Sequence, residues 1–146
     1  MAKEWVDTLN SLLQGEQSAV ETYDQVVSRL GLENEPGANE LRRFNTDHRE
    51  AVTLLRRQIE LHEGQPIFGS GPWDAWARTV SGAAHVLGDA SIFRALKEGE
   101  ERGLKLYQDA LSQKRLDPDC EEVVRSALLP RARACLRELD RLIKVR

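Results

Sequence analysis

Two glutamates stand where a helix should bury apolar side chains, and both sit in the same local pattern. Gly15-Glu16 is followed by Tyr23 seven residues after the glutamate, and Gly99-Glu100 by Tyr107 at the same interval, so the chain carries an internal repeat. About one helix-turn-helix later each copy reaches a second reactive side chain, His48 after the first and Cys135 after the second. Two carboxylates, one imidazole and one thiolate could surround a single zinc or ferrous ion in four-coordinate geometry. The same atoms need no metal if they satisfy one another. His48 would then bond to Glu16 or Glu100, the hydroxyls of Tyr23 and Tyr107 would cap the carboxylates, and Cys135 would pack as a small hydrophobe. Two nearby buried carboxylates without a metal raise at least one carboxyl pKa by desolvation and repulsion, and a proton shared with His48 relieves this.

Helices must position these groups. From Lys3 to Leu30, Val6, Leu9, Leu13, Glu16, Val20, Tyr23, Val27 and Leu30 recur in steps of three and four, one face of a packed helix, with Gly31 as its stop. A second helix is expected from about Asn39 to Glu63, with Leu41, Phe44, His48, Val52 or Leu55, Ile59 and His62 on its inner face. His62 falls in its last turn, where an imidazolium meets the negative end of the helix dipole. Residues Gly64 to Gly71 read as a loop. The run from Pro72 to about Gln113 reads as helical with a break near Gly82 and Gly88, giving a connecting helix from Trp73 to about His85 and a third long helix from Asp89 to Leu111. Trp73, Trp76 and Phe68 are expected to seal the bundle end, and His85 to be a surface or packing residue. Asp117 and Pro118 open a fourth helix with Val124, Leu128, Ala132, Cys135, Leu139 and Leu142 inward, and Pro130 predicts a kink.

Composition narrows the function classes. At 146 residues the chain has the size of one domain, 1–146. A net charge of -3 and a pI of about 5.7 provide no global field for nucleic acid or an anionic membrane surface. No signal-like start and no run of about 18 apolar residues is present, which points to a cytoplasmic protein. Cys120 and Cys135 fall fifteen residues apart on one expected helix, roughly 22 Å along its axis, so they cannot bridge and a reducing compartment fits. No Ser-His-Asp set, glycine-rich phosphate loop or Cys-x-x-Cys pair supports nucleophilic catalysis, nucleotide binding or a zinc ribbon. Small residues Ala84, Gly88, Ala95, Gly99 and Gly103, or the Trp73 and Trp76 region, offer a contact for a homodimer.

Gly15-Glu16 through Tyr23, Asp47-His48-Arg49-Glu50, Gly69-Ser70-Gly71-Pro72-Trp73, Leu87-Gly88-Asp89-Ala90 and Gly99-Glu100-Glu101 through Tyr107 carry a resemblance over nearly the whole chain. At these residues it resembles the ferritin-like superfamily and, within it, a small bacterial four-helix-bundle family known as a domain of unknown function and linked to stress responses. The resemblance implies an all-α bundle in which a long, partly helical crossover joins helices two and three. Di-iron bundles use one glutamate from each of two helices and a Glu-x-x-His motif from each of the other two. Here Asn45 stands three residues before His48, and Ala132 three before Cys135, so both bridging glutamates and one histidine are missing. That ligand count argues against a two-metal centre and leaves none or a single iron or zinc ion. The expected function is a non-catalytic stress-related or interaction protein with a degenerate metal site at Glu16, His48, Glu100 and Cys135, supported by Tyr23, Tyr107 and Asn45. The alternative is a metal-dependent redox protein acting on peroxide or oxygen, or an iron binder.

Overall fold

The computed structural model describes residues 2–30, 37–69, 71–74, 76–80 and 89–145. Among them the chain is all-helical with no strand, and no helix is long and apolar enough to cross a membrane. The long elements are α1 (Ala2–Leu30), α2 (Ala38–Leu61), α3 (Asp89–Ser112) and α4 (residues 118–144). A 3₁₀ turn at Gly71–Trp73 and helical residues 76–80 lie between α2 and α3. The expected stop at Gly31, the break at Gly82 and Gly88, and His85 lie outside the described residues.

Helix direction follows from who meets whom. Trp5 near the start of α1 packs on His62 beyond the end of α2, and Tyr23 on Phe44, so the first hairpin is antiparallel. Lys97 of α3 reaches Asp140 of α4 at 2.6 Å, which makes the second hairpin antiparallel too. Across the hairpins, α1 packs on α3 and α2 on α4. Arg131 pairs with Glu50 and Arg141 with Glu40, so α4 opposes α2, and α2 and α3 consequently run the same way. The link between α2 and α3 must therefore travel the length of the helices. Its first leg is fastened to α1: Asn10 donates to the Gln65 carbonyl and accepts from the Ile67 N–H, while Gln17 donates to the Ile67 carbonyl.

Because α1 faces both α2 and α3, its buried stripe is wider than a single seam. Leu12, Ala19 and Val26 are buried beside Leu9, Leu13 and Tyr23, whereas Val20 and Val27 are only half-buried. On α2 the inward residue is Leu55, with Val52 half-buried. The helix ends at Leu61 with His62 as its cap, followed by a left-handed Glu63 (φ 59°), after which the Gly64 N–H returns to the Ile59 carbonyl. Asp117 caps α4 by accepting from the Cys120 N–H at 2.9 Å, with Pro118 at the first helical position. The expected disturbance at Pro130 takes the form of a π-helical turn, Val124–Leu128, in which the Leu129 N–H bonds to Val124. A proline at 130 cannot donate to the Ser126 carbonyl and would crowd it, and widening the preceding turn accommodates both effects.

Candidate functional site

Two apolar clusters fill the interior, one around Tyr23, Phe44, Leu96 and Leu139 and the other around Leu13, Leu55, Tyr107 and Val124. Between them lies a polar layer. Antiparallel packing of α1 on α3 crosses the two repeats, so each glutamate meets the tyrosine of the other copy. Tyr107 donates to Glu16 Oε1 at 2.6 Å and Tyr23 to Glu100 Oε1 at 2.9 Å. His48 enters from α2 between the carboxylates, with Nδ1 2.5 Å from Glu16 Oε2 and Nε2 2.6 Å from Glu100 Oε1. Its ring stacks on Tyr23 with centroids 5.3 Å apart. Cys135 closes the group from α4, its sulfur 3.9 Å from the Tyr23 hydroxyl.

Both imidazole nitrogens face carboxylate oxygens, and a carboxylate only accepts, so both nitrogens must carry protons. Burial alone would push the His48 pKa down, but the Glu100 and then the Glu16 carboxylate outweigh it and hold the pKa well above 6.5. Burial likewise tends to raise Glu100, yet the His48 charge and the bonds from His48 and Tyr23 bring it below the usual 4.5. The elevated carboxyl pKa expected of two buried acids is thus absent at Glu100, because the shared partner is an imidazolium. Burial, reinforced by the neighbouring Cys135 and Glu100, raises the Tyr23 hydroxyl, and burial with Glu16 raises Tyr107. Burial and the Glu100 charge push the Cys135 thiol up to about 12.

The connection between α2 and α3 covers this layer. Trp73 and Trp76, which pack edge to face at 5.6 Å, lie over Gly15 and Gly99, the residues that precede the two glutamates. A Cβ on Gly99 would fall 2.1 Å from the Trp76 ring and one on Gly15 3.1 Å from Trp73, so the glycines of the repeat make room for indoles. Trp76 is fixed by its N–H bond to the Ala95 carbonyl at 2.8 Å, and the Arg102 guanidinium lies over Trp73. The expected seal at the bundle end is corrected in this respect. Both tryptophans are buried at mid-height, where small residues leave space, and Phe68 is 76% exposed beneath Arg56. Gly99 of the small-residue stripe is filled from within the chain by Trp76, Gly103 has open space, and Ala84 and Gly88 lie outside the described residues.

Next to the layer are cavities of about 30 and 20 Å³, the first under the tryptophans and the second beside Arg131 and Cys135. A water needs about 10–15 Å³ on this measure, so these spaces admit a water or an ion and no organic substrate.

The structure brings Glu16, His48, Glu100 and Cys135 to one level but divides them. Ligand atoms of His48, Glu100 and Cys135 lie within 4.8 Å of one another, whereas Glu16 meets the opposite ring nitrogen. One ion can take only one nitrogen of an imidazole. The donors therefore fit a single metal on the Nε2 side, with Glu16 holding the ring from behind as carboxylates do for metal-bound histidines. They do not fit two metals: Ala132 offers no ligand, and Asn45 turns away to bond Asp24 at 2.6 Å beside the Arg49–Asp24 ion pair.

A second group was not foreseen. His62 Nε2 lies 2.8 Å from Asp117 Oδ2 and 3.6 Å from the Cys120 sulfur, at the end of the molecule where α2 stops and α4 begins. Each residue has a sufficient local explanation in sequence, a helix-end histidine, a cap and a buried cysteine, which hid their meeting. The usable signal was spacing: Gln58 and His62 one turn apart closing α2, and Asp117 and Cys120 one turn apart opening α4. Comparison with protein-family models, curated proteins and solved structures finds no significant match for the chain.

Proposed function

We propose that this chain is a ferritin-like four-helix bundle of non-catalytic type, a stress-related or interaction protein whose central metal position is taken by the His48 imidazolium. The observation that carries the reading is that each nitrogen of His48 faces a carboxylate and each carboxylate also accepts a tyrosine hydroxyl. Both nitrogens of His48 and both tyrosine hydroxyls have a partner, and the adjoining cavities are too small for a substrate. The helix directions support the bundle assignment, since a partly helical link joining two parallel helices is what the ferritin-like arrangement requires. Nitrogen-15 NMR of the imidazole tests the proposal. Both His48 nitrogens are expected to be protonated at neutral pH and to stay so when Fe(II) or Zn(II) is added in equal amount. Stoichiometric loss of the Nε2 proton to the metal would defeat it.

A second reading rests on the convergence of His48 Nε2, Glu100 and Cys135. Here these three hold one iron or zinc ion, Glu16 orients the imidazole, and the protein is an iron binder or a redox protein acting on peroxide or oxygen. The bound ion supplies Lewis-acid or electron-transfer chemistry. Tyr23 holds Glu100, and the tryptophan roof restricts access of bulk water. In this case the iron-loaded protein consumes peroxide, and His48→Ala loses the iron and the activity together.

A further inference from the structure

We infer that His62, Asp117, Cys120 and Gln58 form a structural zinc(II) site that joins the end of α2 to the start of α4, separate from the central layer. Three different donor types already converge there. The His62, Asp117 and Cys120 ligand atoms lie within 4.8 Å of one another, and Gln58 Oε1, 3.2 Å from the Cys120 sulfur, is a fourth donor. Zinc bonds of about 2.3 Å to sulfur and 2.0–2.1 Å to nitrogen or oxygen place tetrahedral ligand atoms about 3.3–3.6 Å apart. The sulfur-to-Nε2 separation of 3.6 Å already matches. Two more of the six separations, sulfur to Gln58 Oε1 at 3.2 Å and His62 Nε2 to Asp117 Oδ2 at 2.8 Å, are hydrogen-bond contacts that need to open by about 0.3–0.5 Å when a metal takes the place of the proton.

The surroundings hold these donors in place. Asp117 spends one oxygen on capping Cys120 N and keeps the other, Oδ2, turned to His62. Trp5 packs on the His62 ring at 5.6 Å, and the left-handed Glu63 ends α2 directly after it. Cys120 is buried and both His62 and Asp117 are largely so, with side chains 18% and 12% exposed, enough for an ion to enter. The chemistry of the set selects the metal. A thiolate and an imidazole disfavour calcium and magnesium, which want oxygen, and four protein donors without an open position define a structural rather than a catalytic zinc. On binding, the Cys120 thiol gives its proton to solvent, and His62 coordinates as the neutral imidazole with its ring proton on Nδ1. The contrast with the central layer is direct: His48 has a carboxylate on each nitrogen, whereas His62 meets one carboxylate, a thiol and an amide within reach.

The experiment uses the full chain, zinc and cobalt(II). After removal of excess metal, one zinc per chain is expected, and the cobalt form should show thiolate-to-cobalt charge-transfer absorption. Cys120→Ser should abolish that absorption. His62→Gln should weaken binding by at least the roughly 10–100-fold that even outer-shell changes cost. Cys135→Ser should leave both properties intact, which separates this site from the central one. The inference is overturned if no zinc is retained, if the metal is held unchanged by Cys120→Ser and His62→Gln, or if Cys135→Ser removes it. Should Cys120→Ser lose its helical circular dichroism, the partly exposed His62→Gln decides alone.

Discussion

Among the described residues two histidine–carboxylate–thiol groups form, and they differ in how fully the imidazole is used. At mid-height His48 lies between Glu16 and Glu100, and each acid is backed by a tyrosine from the opposite repeat. At the end, His62 faces only Asp117, whose second oxygen is committed to the helix cap, with Cys120 and Gln58 alongside. The same residue types thus yield a closed proton-sharing network in one place and a set of convergent donors in the other. Composition of a cluster is a poor guide to its role. The number of acids that reach the ring decides whether its lone pairs are available.

The largest expected effect comes from opening the closed group. Glu100→Leu leaves the His48 imidazolium with one acid and the Tyr23 hydroxyl with none, and breaking a buried pair in this way costs about 3–5 kcal/mol. Denaturant unfolding measures it. A loss below about 1 kcal/mol would show that the layer is not held as a charged unit.

The tryptophan roof allows a finer test within the repeat. In a helix, alanine is favoured over glycine by about 0.8–1 kcal/mol. At Gly15 the new Cβ meets Trp73 at 3.1 Å, and a small shift of the ring lets the propensity gain offset most of the strain. At Gly99 the contact is 2.1 Å to an indole tied to the Ala95 carbonyl, so the ring must leave. Gly99→Ala should therefore destabilise by about 1–3 kcal/mol with a red-shifted tryptophan emission, while Gly15→Ala stays near neutral. Equal effects would mean that the roof yields equally on both sides.

Acidity distinguishes the central layer next. The folded-state pKa of His48 is raised, so its contribution is complete below about 6.5 and is lost as pH rises through the folded value. Glu100 is lowered, so its contribution is present above about 4.5 and is lost as pH falls through its folded value. Stability should peak between the two, and on the alkaline side fall by up to about 1.4 kcal/mol per pH unit until His48 deprotonates. His48→Gln should flatten that alkaline limb in unfolding curves taken across pH. An unchanged limb would assign the dependence elsewhere.

How much of the site is legible in the sequence follows from the range of the interactions that build it. Glu16 and Glu100 were legible because a carboxylate in a three-four apolar rhythm has to point inward, and Asp117-Pro118 because a cap acts within four residues. The exchange of Tyr23 and Tyr107 between copies was not, since it depends on α1 opposing α3. Trp73 and Trp76 read as an end seal because nothing local tells a linker at which height it crosses, and Gly15 and Gly99 disclose the answer only once the indoles are seen on them. The ferritin-like resemblance implies a crossover and says nothing of the splitting of the quartet across two ring nitrogens. The end cluster escaped notice because its members come from elements more than fifty residues apart, each with a separate reason to be there.

The smallest effect belongs to that end cluster, and its dependence on metal completes the comparison. In metal-free protein His62→Gln removes one hydrogen bond at a site that water still reaches, a loss of about 1 kcal/mol. Zinc at a hundred times its wild-type dissociation constant should then stabilise the wild type by about 2.7 kcal/mol and the variant by about 1.4 kcal/mol or less, so the gap between them widens on addition and returns to its metal-free value with chelator. Melting curves of the two proteins with and without zinc measure both numbers. If zinc raises wild type and His62→Gln by the same amount, the stabilising ion sits elsewhere, and the distinction between a closed centre and an open end is lost.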